Sequence, residues 1–262
     1  MTAAGGHDHA RRAYDTFARF YDRFTHEHDY AAWTLTLERL ALAAGLRGRA
    51  LLDVACGTGK SFLPFLERGY GVTACDISPG MLAVAASKAG ERVRLEQEDM
   101  RGLPVLGAFD LITCLDDSLN YLLSDAELEA ALTGIRRNLA PGGVAVFDAN
   151  ALSTYRGFFA SLSVLPAEDL VLVWRGEASP DAQPGAHVRA TVEALTRDGD
   201  GGWSAETHTH LQRHHPEPAV RAAVAAAGLR VAGHHGMTTD GAIHEGFDEL
   251  EHSKAIYVLT ER

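Results

Sequence analysis

The stretch Leu51-Leu52-Asp53-Val54-Ala55-Cys56-Gly57-Thr58-Gly59-Lys60 sets an acid ahead of two glycines that are one residue apart. Glycine reaches backbone conformations closed to other residues and has no side chain to hold a ligand away. Gly57 and Gly59 therefore predict a tight turn that a nucleotide-type cofactor can approach closely. The spacing narrows the choice. A dinucleotide turn needs G-x-G-x-x-G, and a phosphate-binding P-loop needs G-x-x-x-x-G-K-[ST]. Phe62 stands where the first pattern needs its third glycine, and Val54 where the second needs its first. Gly59-Lys60-Ser61 thus only imitates a P-loop, and Lys60-Ser61 reads as the start of a helix. Asp53 disfavours an anionic phosphate and favours a cationic cofactor.

Further acids follow at intervals of about one strand-helix unit. Asp76 closes Val72-Thr73-Ala74-Cys75-Asp76. An acid at the end of a second strand, about 20 residues past the glycine turn, hydrogen-bonds ribose hydroxyls in nucleotide-binding sheets. A helix-terminal role is the alternative, although Ser78 is the better cap. Ile77 and Met81 would then flank a base with apolar surface. Asp99 follows a third strand in Glu98-Asp99-Met100, and Leu115-Asp116-Asp117-Ser118-Leu119-Asn120-Tyr121 follows a fourth. That edge of an α/β sheet is where cofactor and substrate meet. There Asp116, Asp117, Ser118 and Asn120 point into a transfer site or support its rim, the alternative being a cap and a solvated turn. His208 and His210 lie two apart on a strand and face the same way. A histidine base suits removal of a proton from an ammonium or hydroxyl near neutral pH. A packing role is the alternative, and a metal site with His214 has no cysteine or carboxylate spacing to reinforce it.

The elements that must position these residues alternate. Strands are expected at 50–54, 71–76, 93–96, 109–115 and 144–148, with helices at 61–68, 79–89 and 125–139 and a turn at Pro141-Gly142-Gly143. This alternation predicts an α/β fold, a doubly wound Rossmann-like and mostly parallel sheet. Helices at 10–24 and 29–44 precede it. After Asn150, strands at 170–174, 187–195 and 203–212 read as an antiparallel meander, followed by a helix at 218–227 and strands at 229–233 and 255–259. The expected division is an N-terminal helical lid over 1–45, a core over 46–154 and 214–262, and an antiparallel insertion over 155–213 that roofs the active site.

The residues from Leu51 to Gly59 resemble the first motif of class I S-adenosylmethionine (SAM) dependent methyltransferases, whose cofactor is a sulfonium. The resemblance runs along nearly the whole chain. It implies cofactor contacts from Asp53, Ala55, Cys56, Gly57, Gly59, Asp76, Ile77 and Met81. It also implies that Asp99 accepts the adenine amino group, that the Met100 amide meets a ring nitrogen, and that Leu115 and Ser118 face the methionyl end. Phe20-Tyr21-Asp22 and Asp29-Tyr30-Ala31-Ala32-Trp33 are similar to the lid of small-molecule N-methyltransferases of the glycine N-methyltransferase and aminosugar N,N-dimethyltransferase kind. That likeness places Tyr21 and Tyr30 at the cofactor tail. Tyr21, Asn120, His208 and His210 are the candidates for the transfer step, and no metal is implied. Asn150 stands where glycine-type enzymes carry an arginine for a substrate carboxylate, and no Asn-Pro-Pro-Tyr motif is present. The implied reaction is methyl transfer from SAM, leaving S-adenosylhomocysteine (SAH), to a small molecule such as a natural-product or amino-compound amine. O-methylation and a SAM-binding regulatory module without turnover are the alternatives.

Composition bounds the partners. A net charge of −11 over 262 residues offers no basic surface for nucleic acid. No run approaches the roughly 18 apolar residues that read as a membrane span, and the polar start carries no signal-peptide core. Cys56, Cys75 and Cys114 fall in or beside predicted strands and read as reduced thiols of a cytoplasmic protein. A homodimer is a possible assembly.

Overall fold

The computed structural model describes residues 4–262, with side chains from residue 9 onward; the first residues of the expected lid and of the polar N-terminus lie outside that range. Strands β1 (Ala50–Val54), β2 (Gly71–Asp76), β3 (Arg94–Gln97), β4 (Phe109–Cys114) and β5 (Leu139–Asn150) run parallel in the order β3-β2-β1-β4-β5. Beyond β5 the sheet continues antiparallel through β12 (Lys254–Glu261), β10 (Leu229–Met237) and the short β11 (Ile243–Glu245). Side chains alternate across a strand, so β1 feeds two buried layers. Leu52 and Val54 join Leu128, Leu132 and Ile135 of α5 (Asp125–Asn138) with Val220 and Val224 of α7 (Glu217–Ala226). Leu51 joins Leu37 and Ala41 of α2 (Tyr30–Ala43), Phe65 of α3 (Leu63–Glu67) and Ala85 of α4 (Pro79–Ala89). The parallel strands all point to one edge of the sheet, where the loops gather.

Local chemistry sets the helix ends. Pro79 occupies the first turn of α4, the Ser78 hydroxyl accepts the Met81 amide at 3.1 Å, and Gly90 ends the helix at φ +60. In α5 the Ser124 hydroxyl takes the Glu127 amide, and the Glu127 carboxylate returns to the Leu123 amide at 2.6 Å, a close variant of the capping box. One expected turn is absorbed into a strand. Leu139 pairs with Phe109 and Val144 with Leu111, so Pro141-Gly142-Gly143 bulges out of β5 instead of preceding it. Gly142 adopts φ +76 there, which a bulge accepts readily from glycine.

A second sheet, β6 (Leu162–Pro166), β7 (Leu170–Gly176), β8 (His187–Arg197) and β9 (Trp203–Arg213), is antiparallel throughout. The sequence pattern shows β7 to β9 but neither β6 nor the one-turn α6 (Leu152–Arg156), each only five residues long. Helix α1 (Ala4–Phe24) buries Phe17 and Phe20 in one apolar cluster with Leu172, Trp174, Ala190 and Val192 of the second sheet. The sheet thus backs α1, and α1 itself lies against the central domain.

Gly59 shows how tightly the first turn is built. It adopts φ +86, and an added Cβ would lie 2.6 Å from the buried Phe62 ring. Left-handed strain and overpacking together predict that Gly59→Ala costs about 3 kcal/mol. Urea unfolding measures this directly, and a midpoint equal to wild type would show that the turn tolerates a side chain.

Candidate functional site

At the carboxyl edge of the central sheet lies a cleft that encloses about 640 Å³ of empty space, its open mouth included. Its floor is the β1–α3 turn: Ala55, Cys56, Gly57, Thr58, Lys60 and Ser61 all reach the wall. Ala55 at φ +57 and Gly57 at φ +53 both take left-handed backbone. A Cβ on Gly57 would project toward the Tyr21 ring at 4.0 Å, so the missing side chain leaves space for a ligand.

Asp76 holds one end together. One carboxylate oxygen accepts the Gly57 amide at 2.8 Å and the other the Ser78 amide at 2.9 Å. Burial pushes its pKa up to about 6 against the pull of these amides. Ile77, Met81 and Met100 supply apolar wall beside it. Asp99 does not line the cavity; its carboxylate forms a two-pronged pair with the Arg101 guanidinium, at 2.9 and 2.6 Å. Asp53 and Gly59 also lie behind the wall. The Asp53 oxygens accept the Ser61 and Thr113 hydroxyls at 2.5 and 2.6 Å, and burial raises the acid to about 6. Asp53 therefore braces the turn from below, where the sequence suggested contact with a cationic ligand. Lys60 and Ser61 are likewise more than a helix start, since α3 begins at Leu63. The Lys60 ammonium donates to the Thr25 carbonyl at 2.7 Å and lies 4.9 Å from the Tyr30 ring, tying the turn to the N-terminal helices.

The other end is built on the β4–α5 loop. Leu115, Asp116, Ser118 and Tyr121 line the cavity opposite Tyr14, Tyr21 and Tyr30. The Tyr21 and Tyr30 hydroxyls both donate to one oxygen of Asp116, at 2.8 and 2.7 Å. The other oxygen accepts the Lys254 ammonium at 3.1 Å, which also donates to Asp117 at 3.0 Å and Asp148 at 2.8 Å. Burial alone would raise Asp116, but Lys254, His28 and the two tyrosine hydroxyls outweigh it and hold the acid well below the usual carboxylate range. Asp116 therefore stays ionised at neutral pH. The Ser118 hydroxyl donates back to the Leu115 carbonyl at 2.7 Å and closes the loop on itself.

Three residues proposed for the transfer step sit outside the cavity wall. Asn120 is fully buried; its amide nitrogen donates to the Arg213 carbonyl at 2.9 Å and its oxygen accepts the Asn150 amide at 2.9 Å. It pins β9 to β5 and has no group left facing the site. His208 is packed among Phe17 and Phe20 with one ring nitrogen on the Thr16 hydroxyl at 3.1 Å. His210 is buried as well, but it is connected: its Nδ1 is 2.9 Å from the Tyr121 hydroxyl, which accepts the Tyr14 hydroxyl at 2.6 Å. Burial pushes His210 down to about 3, so the ring is neutral. Through this chain the second sheet reaches Tyr121 and Tyr14 of the cavity wall. Among the described residues, no three His, Cys, Asp or Glu side chains are arranged to hold a metal.

Comparison with known proteins agrees with this geometry. A methyltransferase-domain profile matches residues 51–143. A protein of Geobacillus sp. (strain WCH70) named as a methyltransferase is 32% identical over 207 residues, covering 76% of this chain and 81% of the relative. This chain belongs to the SAM-dependent methyltransferases. The enzyme is also 29% identical over 225 residues to the dTDP-3-amino-3,4,6-trideoxy-α-D-glucopyranose N,N-dimethyltransferase of Streptomyces venezuelae, covering 86% of this chain and 91% of that one. Among solved structures, a SAM-dependent methyltransferase from Clostridium acetobutylicum superposes with a TM-score of 0.79 at 22% identity over 95% of this chain and 98% of the other. A sugar N-methyltransferase from Streptoalloteichus sp. gives 0.73 at 27% identity, covering 92% of both chains. The methyltransferase's cavity fits its cofactor: an acid and open backbone at one end, apolar walls at Ile77, Met81 and Met100, and an ionised acid with tyrosine oxygens at the other. Among the described residues, no helix is long and apolar enough to cross a membrane.

From the sequence, Tyr14 is one of the N-terminal aromatics that either pack or form a lid, Tyr121 ends the loop after the fourth strand without a role of its own, and Lys254 is not a candidate at all. A helical aromatic stripe and a loop end carry no sign of the contact between Tyr14 and Tyr121. Lys254 opens a C-terminal strand with no motif around it.

Proposed function

We propose that this methyltransferase moves a methyl group from SAM to an amine nitrogen of a small molecule, in natural-product or amino-compound tailoring. The observation that carries the reading is the cavity end opposite Asp76. Asp116, Tyr14, Tyr21, Tyr30 and Tyr121 line it there, and carboxylate and hydroxyl oxygens of this kind suit an N–H donor and a nitrogen that becomes positive during transfer. The dimethyltransferase named above acts on an aminosugar, in keeping with such a wall. SAM, when bound, supplies an electrophilic methyl on sulfur. Gly57 and Asp76 hold the ribose, Ile77, Met81 and Met100 flank the adenine, and Leu115, Ser118, Tyr21 and Tyr30 hold the methionyl end. The protein's work is then positioning and exclusion of water.

In this reading α1 and α2 form the lid, the central sheet carries the cofactor, and the second sheet stiffens the lid from outside. Asn120 and His208 support the wall without touching the reacting atoms. The enzyme works in the cytoplasm without nucleic acid; three buried free thiols, Cys56, Cys75 and Cys114, suit a reducing compartment. Incubating the enzyme with SAM and a panel of aminosugars, other amines and phenols, then measuring SAH, tests the proposal. Turnover confined to phenols would replace it with O-methylation, and cofactor binding without any product would favour a regulatory module.

His210 is a positioning residue here, since a ring titrating near pH 3 takes up no proton at working pH. By accepting the Tyr121 proton it turns the hydroxyl chain so that a Tyr14 lone pair is left for the acceptor amine. His210→Phe should lower kcat about tenfold with KM and the pH profile of kcat/KM unchanged, and His210→Gln should recover part of the loss, because its carbonyl accepts the same bond. Loss of a limb of the pH profile would make His210 the general base instead.

A further inference from the structure

Asp116 and Asp117 both take left-handed backbone, at φ +61 and +54. Non-glycine residues hold such angles only where their surroundings over-determine them. Two groups do so. The Asp148 carboxylate at the end of β5 accepts the Asp116 amide at 2.6 Å and the Asp117 amide at 2.9 Å. The Lys254 ammonium, from the neighbouring strand β12, joins all three carboxylates within 3.1 Å. Lys254 is only 13% exposed and Asp148 not at all, and a buried charge of this kind is stable only when paired and fully hydrogen-bonded.

We propose that Lys254 is a positioning residue for methyl transfer: it holds the Asp116–Asp117 turn in its left-handed form, and with it the cavity wall and the acid on which the lid tyrosines close. The chain of contacts is continuous. Lys254 takes one oxygen of Asp116, and Tyr21 of α1 and Tyr30 of α2 take the other. Leu115 and Ser118 flank the same turn and line the cavity with Asp116. A cation at the sheet edge thus fixes both the floor of the transfer end and the docking point of the lid.

The groups facing this cluster come from every side. Asp148 belongs to β5, and Gln212 of β9 donates to Asp117. Tyr21, Tyr30 and the Trp33 ring, 5.6 Å from the ammonium, come from α1 and α2, with His28 between them. Burial raises Asp117 to about 6 and lifts Asp148 as well, in both cases against the pull of Lys254. Without the ammonium, three buried carboxylates repel one another at alkaline pH, and protonation in acid relieves them.

SAH binding measured by calorimetry on the full chain provides the test, because it needs no acceptor. Wild type should change by less than about threefold between pH 8 and 6.5. Lys254→Met should bind about 30-fold more weakly at pH 8 and recover about tenfold at pH 6.5, and Lys254→Met with Asp117→Asn should recover about as much at pH 8. Lys254→Arg keeps the charge and the fold, but its planar fork cannot meet three carboxylates from one point, so binding about tenfold weaker without acid recovery is expected. This last variant decides the matter if Lys254→Met does not fold. Binding by Lys254→Arg equal to wild type, or a loss in Lys254→Met that neither acid nor Asp117→Asn relieves, would overturn the proposal. Normal SAH binding with no turnover on any amine would instead count against the amine reading alone.

Discussion

Replacing Asp76 with alanine should abolish measurable SAH binding at neutral pH while the chain stays folded. Its carboxylate is the acceptor for the Gly57 and Ser78 amides, so it shapes the glycine turn and the first turn of α4 at once. Removing it leaves two amides without their acceptor, at about 1–3 kcal/mol each. It also removes the oxygens proposed to meet the ribose. A loss of more than about 100-fold in affinity corresponds to about 2.7 kcal/mol, which these effects supply between them. Calorimetric titration with SAH measures it; affinity within threefold of wild type would remove Asp76 from the site. The wild-type pH dependence has a defined sign. The acid is raised to about 6 by burial, so it protonates as pH falls through 6 and then no longer presents two accepting oxygens. SAH affinity should therefore decline below pH 6. The stability linkage runs the other way for this group. A carboxylate raised in the folded state favours folding most below its unfolded value, and that contribution is lost as pH rises through 6.

Gly80→Ala should cost cofactor affinity and loosen α1 while leaving the core of the central sheet packed. Gly80 lies in the first turn of α4, and an added Cβ would stand 2.2 Å from the backbone oxygen of Asp15 in α1. The close approach serves a bond: one Asp15 carboxylate oxygen accepts the Gly80 amide and the Ser78 hydroxyl, each at 2.8 Å. Alanine is the better helix former by about 1 kcal/mol, so α4 itself gains. What it cannot do is let α1 sit down. The remaining latches, Asp22 with Thr58 and Lys88 and Lys60 with Thr25, would then have to hold a displaced helix. About tenfold to 50-fold weaker SAH binding is expected, about 1.4–2.3 kcal/mol, together with faster proteolytic cutting within α1. Unchanged affinity and cutting would mean that α1 does not close the site by docking on α4.

The sequence was most legible where physical periodicity is strongest. Between 50 and 114, short strands alternate with helices, one of them bounded by Pro79 and Gly90, and the first four strands fall within a residue of their expected places, whereas β5 begins five residues before its expected start. The segment at Pro141-Gly142-Gly143 misled because a bulge and a turn share the same residues, and only the pairing of Leu139 with Phe109 tells them apart. At the site, the glycine turn, Asp76, Ile77, Met81, Met100, Leu115, Ser118, Tyr21 and Tyr30 come together at one cavity. Asp53, Asp99 and Asn120 show the limit of motif spacing. It locates a residue along the chain but not in depth: Asp53 and Asn120 are spent on neighbours behind the wall, and Asp99 on the Arg101 guanidinium beside it. Lys254 was out of reach because its partners lie 106 to 138 residues away.

Those same separations bear on when the site comes into being. Asp116 is tied to Tyr30 across 86 residues, to Tyr21 across 95 and to Lys254 across 138. Contacts so distant carry loop-closure entropy that local pairing does not. They should form only after the sheet between them has condensed, and they should be among the first to open. Refolding followed by Trp33, whose ring lies beside the Lys254 ammonium, would then lag behind the return of helical circular dichroism. A chain caught between the two events would be folded by most measures and still unable to clasp its cofactor.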